Sequence, residues 1–176
     1  MKWALMTGAG LVAVIAIVAI IGAALPRSHT ASRSTRINGS PQAIWAAITE
    51  VEAFPDWRSD VKKVERLQDR DGRPVWVEEG PTGRMTLAVE RSEPPRLLVL
   101  RIADPDLPYG GTWTYELSPQ PGGGVMLSVT EDGEIYNPIF RFMARFVFGY
   151  EATMDTYLAS LAARFEGTRE MTRKKG

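Results

Sequence analysis

The stretch Val125-Met126-Leu127-Ser128-Val129-Thr130-Glu131, followed after a short link by Asn137-Pro138 and the run on to Phe165, decides the fold. Its first part alternates, with Val125, Leu127, Val129 and Glu131 on one face, the period of a half-buried strand. Its second part repeats apolar residues every three or four positions: Met143, Val147, Tyr150, Met154, Leu158, Leu161 and Phe165. That spacing predicts one helix from Pro138 to Phe165, about 28 residues and roughly 42 Å long, with Asn137 as cap and Pro138 as first residue. Gly149 is its weak point.

Working outward, the same alternation marks strands at Val61–Leu67, Pro74–Glu79, Arg84–Arg91, Arg96–Ile102 and Gly111–Leu117, with a further one at Thr30–Ile37. Asp71-Gly72, Pro94-Pro95 and Pro119-Gln120-Pro121-Gly122-Gly123-Gly124 punctuate them as turns. Links this short favour an antiparallel meander over parallel crossovers. Ser40-Pro41 opens a short helix through Ile48, and Val51–Trp57 forms a second turn-like piece. A sheet with one face to bury and one long apolar-sided helix after its last strand is expected to wrap around that helix, an α+β arrangement.

These features resemble the START/Bet v 1-like (SRPBCC) superfamily, and within it the polyketide cyclase/dehydrase-like group. The resemblance covers about Ser28 to Phe165. It rests on Ile37-Asn38-Gly39-Ser40-Pro41-Gln42-Ala43-Ile44-Trp45, Phe54-Pro55-Asp56-Trp57, Gly111-Thr112-Trp113-Thr114-Tyr115 and Asp132-Gly133-Glu134-Ile135-Tyr136-Asn137-Pro138. It implies a helix-grip fold, a seven-stranded antiparallel sheet around a long C-terminal helix, enclosing a hydrophobic cavity. Such members bind lipids, sterols, polyketides or other apolar molecules, and membership does not itself imply catalysis.

Composition narrows the functions. Lys plus Arg and Asp plus Glu both total 21, so there is no basic excess for phosphates and no nucleic-acid partner is expected. With no cysteine and one histidine, His29, disulfides, thiolate chemistry and Cys- or His-rich metal sites are excluded, and no metal is expected. No GxGxxG run or phosphate-binding loop occurs, and no cofactor is expected.

Residues 3–25, Trp3 to Leu25, carry no charge and are long enough as a helix to cross a bilayer, so a single-pass transmembrane helix is expected. The competing reading is a cleaved secretory signal, with Lys2 as its positive start and Gly22-Ala23-Ala24 near its end. The expected location is a bacterial-type inner membrane, where Lys2 on one side and Arg27, Arg33 and Arg36 on the other leave the orientation open. The chain thus divides into an anchor at 1–26, a ligand-binding domain at 27–166 and a basic flexible tail at 167–176.

A cavity between sheet and helix would be walled by Trp76, Met85, Leu87, Trp113, Tyr115, Leu127, Phe142, Phe146, Tyr150 and Met154, each of which serves equally well as plain core. Glu131 is the leading acid–base candidate: if the face of Val125, Leu127 and Val129 is the gripped one, its carboxylate points inward with a raised pKa or a partner such as Arg101, and otherwise it stands at the strand end in water. Asp104, Asp106, Tyr109, Asp132, Glu134 and Tyr136 are further polar candidates, and His29 reads as remote from all of them. Three functions follow. The first is membrane-tethered binding or handling of a hydrophobic small molecule or lipid; the second is a cyclase/dehydratase-like enzyme on an apolar substrate. The third is an accessory membrane protein whose domain binds another protein, the reading a filled core with an exposed apolar patch would favour.

Overall fold

The computed structural model describes residues 2–81 and 83–174, and the side chains of residues 10–81 and 83–166. A helix, α1 (Lys2–Ala24), precedes strand β1 (Ser28–Ile37) and helix α2 (Pro41–Thr49), which is followed by a 3₁₀ turn at Val51–Asp56. Strands β2 (Lys63–Arg66), β3 (Val75–Gly80), β4 (Gly83–Glu93), β5 (Leu97–Ile102), β6 (Tyr109–Pro119) and β7 (Val125–Ile135) come next. The chain closes with α3 (Pro138–Met143), a π turn (Ala144–Phe148) and α4 (Ala152–Lys174).

The seven strands form one antiparallel sheet in the order β1-β7-β6-β5-β4-β3-β2. β2 to β7 are a meander of hairpins, and β1 joins by pairing with β7, the one pairing in the described sheet between strands not consecutive in sequence. This is the α+β helix-grip arrangement. Ile37, Val125, Leu127 and Val129 project from the sheet, and Ile44, Ile48, Met154 and Leu161 pack on them from α2 and α4, all essentially without solvent contact. Burial on this scale, at about 25 cal/mol per Å² of apolar surface, drives the folding of the domain.

Local chemistry sets the helix starts. The Ser40 hydroxyl accepts from the Ala43 N–H at 3.1 Å ahead of Pro41. The Asn137 side chain accepts from Ile139 and Phe140 at 2.9 and 3.3 Å ahead of Pro138, so both capped, proline-led starts satisfy donors that a helix N-terminus leaves orphaned.

The final helix departs from the expectation of one continuous rod. It divides into α3, the π turn and α4, with Gly149 at φ 76°, a left-handed conformation that a side chain disfavours. The division turns Phe146 and Val147 outward, so the apolar stripe facing the sheet begins only near Tyr150.

The α1 helix is apolar through its described part, yet among the described residues no helix is long and apolar enough to cross a membrane. Side chains are described only from Gly10, so the beginning of the expected span, residues 3–9, lies outside them. The expected basic tail at 167–176 likewise lies outside the described side chains.

Candidate functional site

Strand register sorts the candidate residues by face. Directly opposed residues in antiparallel strands share a face, and His29, Ala31 and Arg33 of β1 oppose Gly133, Glu131 and Val129 of β7. Glu131 in turn opposes Trp113 on β6, which opposes Leu100 on β5. His29, Glu131 and Trp113 therefore lie side by side on the gripped face at its α1 end.

His29 is thus not remote from the acidic candidates, as sequence position suggested. Its Nε2 lies 3.6 Å from Glu131 Oε1, and its ring stacks on Tyr150 with centroids 4.0 Å apart and planes 18° from parallel. Gly133 makes the space: a Cβ there would fall 2.3 Å from His29 Cε1 and 2.6 Å from its Nε2. Burial pushes the Glu131 carboxyl up to about 7, and the Trp113 indole N–H draws it back only in part. Burial also pushes the His29 imidazole down, with Asp132 pulling the other way. Near neutral pH the site holds a neutral imidazole beside a carboxyl poised to lose or gain its proton, a suitable pair for proton exchange.

A cleft of about 270 Å³ opens onto His29 of this pair, bounded by Leu25, Pro26, Ser28, His29, Arg145 and Tyr150. It joins the end of α1 to the start of α4. A separate, mainly apolar cleft of about 180 Å³ lies under α2, where Trp45, Ile48, Trp76, Val89, Leu98 and Leu100 face one another.

Between the two clefts lies the buried core. Leu87, Tyr115, Leu127 and Met154 are buried in mutual packing with the rest of the core, so these expected wall residues serve there as core. Trp76 is buried beside the smaller cleft and donates to Glu78 at 3.0 Å. Met85 and Trp113 are half-buried against the core.

The middle also contains a polar group that sequence reasoning missed. Arg58 meets Asp60 at 2.6 Å and Glu78 at 3.0 Å, and its guanidinium lies 5.0 Å from the Phe54 ring centre and 5.3 Å from that of Tyr157. Burial works against the charge of Arg58, but the Asp60 and Glu78 carboxylates more than offset it and hold its pKa high. The Tyr157 ring lies between Trp57, Trp113 and Tyr115 at 5.6 to 6.1 Å, and burial pushes both tyrosine hydroxyls upward. Signals existed for two of these residues: Glu78 shares the parity of Trp76, and Tyr157 stands three positions after Met154.

Other expected site residues lie elsewhere. Arg101 is on the outer face of β5, exposed and paired with Glu90, because its neighbours Leu100 and Ile102 take the inner parity. It is no partner of Glu131. Phe146 is 59% exposed on the π turn and Phe142 is half-buried against it, centroids 4.9 Å apart. Asp132 is on the outer face bonded to the Thr30 hydroxyl at 2.7 Å, and Glu134 accepts from Tyr136 at 3.0 Å. Asp104 accepts from the Asp106 N–H within the β5–β6 loop, and burial and then Asp104 push the half-buried Tyr109 up. Among the described residues no group of three or more His, Asp or Glu side chains is placed to hold a metal ion.

The family model described as polyketide cyclase / dehydrase and lipid transport matches residues 28–166. A START superfamily protein from Mycobacterium smegmatis is similar in structure, with a TM-score of 0.65 at 18% identity over 80% of this chain and 99% of that one. The Zhui aromatase/cyclase from Streptomyces sp. R1128 gives 0.64 at 14% identity, over 79% and 94%. A norcoclaurine synthase point mutant from Thalictrum flavum gives 0.64 at 8% identity, over 81% and 96%. At such identities the likeness is one of fold. No curated protein matches the sequence.

Proposed function

We propose that this chain, which belongs to the polyketide cyclase / dehydrase and lipid transport family, binds the polar end of a hydrophobic small molecule or lipid in the cleft at the α1 end of the grip, held at a membrane by α1. The observation that carries the reading is His29, which lines a cleft together with Leu25 and Pro26 and whose Nε2 lies 3.6 Å from Glu131 Oε1 behind it. Polar groups that converge at the end of an apolar-lipped concavity fix orientation, while the apolar contacts supply affinity. About 270 Å³ suits a head group or a small ring system better than a whole lipid. The remainder of a longer ligand would leave past Leu25 and Pro26 toward α1.

The membrane part of the reading rests on α1. Leu11, Val12, Val14, Ile15, Ile17, Ile20 and Ile21 are all exposed, and at about 100° per residue they point in every direction around the axis. A helix apolar all round is stable inside a core or inside a bilayer, and among the described residues none covers these seven side chains, each at least 40% exposed.

The test is titration of the delipidated full chain in detergent with a fluorescent long-chain fatty acid, followed by competition with unlabelled oleate and with a polycyclic phenol. Saturable, displaceable binding that changes its pH dependence near pH 7 in Glu131→Gln is the expected outcome. Absence of saturable binding by either class would reject the reading and favour a protein-binding role.

A second reading draws on the same pair. With His29 taking a proton from carbon and Glu131 protonating a hydroxyl that departs as water, the site would dehydrate a β-hydroxy ketone, forming a C=C bond. Release of water and appearance of the conjugated product, lost in Glu131→Gln, would support it.

A further inference from the structure

We propose that the segment Ile139–Phe148 is seated in the interfacial layer of the bilayer, so that the mouth of the cleft opens against lipid and not into water. The inference rests on the membrane reading of α1 given above and extends it to a second element.

α3 is fixed against the last turn of α1. Gly22 permits the approach, since a Cβ there would fall 1.9 Å from the Pro138 carbonyl oxygen. The Arg141 guanidinium, only 6% exposed, donates to the Leu25 carbonyl at 2.9 Å and so satisfies a carbonyl beyond the end of α1. Wherever the end of α1 lies, α3 lies beside it, and the π turn follows α3 directly.

From that position the segment turns its apolar side chains outward. Ile139, Phe140, Phe146, Val147 and Phe148 are between 41% and 64% exposed, the last three consecutively. Large apolar residues grouped in this way mark an interaction surface. The choice of lipid over a protein groove follows from continuity with α1: a groove covers one stripe of a helix, whereas the exposed residues of α1 go all round it and require a cover that does the same. Hydrocarbon is that cover, and the patch continues it at the level where a span of this length would leave the membrane. Arg145 stands in the same turn and lines the cleft with Leu25 and Pro26, the mixture of aromatic and basic side chains found in helices that lie in the interface. A ligand dissolved in the bilayer would reach His29 and Glu131 without crossing water.

The chain has no cysteine, which makes single-site labelling direct. Four full-length variants, Val147→Cys, Phe148→Cys, Ile17→Cys and Asp69→Cys, would each carry an environment-sensitive fluorophore and be reconstituted into phosphatidylcholine–phosphatidylglycerol vesicles. Expected are blue-shifted emission and quenching by shallow nitroxide lipids at 147 and 148, quenching by deep nitroxide lipids at 17, and aqueous emission at 69, in the β2–β3 turn. Aqueous emission at both 147 and 148 with a quenched label at 17 overturns this inference and leaves the tether standing. Aqueous emission at 17 as well overturns both.

Discussion

His29 Nε2 lies 3.6 Å from Glu131 Oε1, beyond a normal hydrogen bond, in a site where burial favours the neutral form of each group. The two respond oppositely to pH. Glu131 has a folded pKa of about 7, above its unfolded value near 4.5, so the native state holds the extra proton between these limits and stability falls as pH rises through that window. His29 has a folded pKa below 6.5, so its contribution is present above 6.5 and is lost as pH falls through the folded value. Glu131→Gln should remove the first effect and expose the second. Urea denaturation at pH 5.5 and 8.0 should show the variant more stable than the parent at pH 8.0 by on the order of 2 kcal/mol, after discounting for partial solvent access. An unchanged difference between the two pH values would mean that Glu131 does not titrate in this window.

The imidazole occupies space that only a glycine at position 133 leaves. Gly133→Ala should force it away from Tyr150, since the new Cβ would lie 2.3 Å from His29 Cε1. The expected cost is about 1–3 kcal/mol, together with a shifted His29 ring signal by NMR. His29→Ala combined with Gly133→Ala should recover most of that cost. If the double variant is as unstable as the sum of the singles, the strain lies in the β1–β7 backbone and not in the ring.

The ion pair in the middle of the grip is a matter of stability. Glu78 is 5% exposed, and Glu78→Ala would leave Arg58 with Asp60 alone and remove the acceptor of the Trp76 indole. Stripping one partner from a buried pair costs about 3–5 kcal/mol. Arg58→Met with Glu78→Leu should cost much less than the sum of the singles, because no buried charge is then left alone. A denaturation double-mutant cycle measures the difference; additivity would show that water already screens the pair.

The fold was legible from local patterns because each strand and cap is encoded locally. Alternation over Val125–Glu131, the glycine and proline turns and the Ser40 and Asn137 caps all correspond to features present in the structure. Parity grouped Glu131 with Val125, Leu127 and Val129, the residues that the structure buries, and the same rule applied to Leu100 and Ile102 would have put Arg101 outside. What local pattern does not carry is the pairing of β1 with β7, which joins strands distant in sequence and delivers His29 to Glu131. Nor does a stripe of apolar residues reveal a change of helix axis. Phe146 and Val147 fit the three-and-four repeat, but beyond the π turn and Gly149 they face outward.

That outward surface meets α1 at a close backbone approach, which makes the attachment testable at one atom. The backbone of Gly22 meets the backbone of Pro138, and the Pro138 carbonyl, unlike a side chain, cannot rotate away. Gly22→Ala should therefore separate the two helices by roughly the radius of a methyl group and lengthen the Arg141 bond to the Leu25 carbonyl, now 2.9 Å. Arg141 Nε is already buried without a partner, so loss of the Nη1 contact would leave the guanidinium poorly satisfied in an apolar setting. The thermal midpoint of the full chain in detergent should fall, with a cost of about 1–3 kcal/mol, and limited proteolysis after Arg141 and Arg145 should accelerate. Ser at position 22 should behave like Ala, whereas Gly10→Ala, with nothing within 4 Å of the new Cβ, should change neither measurement. Equal behaviour of the variants at positions 10 and 22 would mean that α3 does not rest on α1.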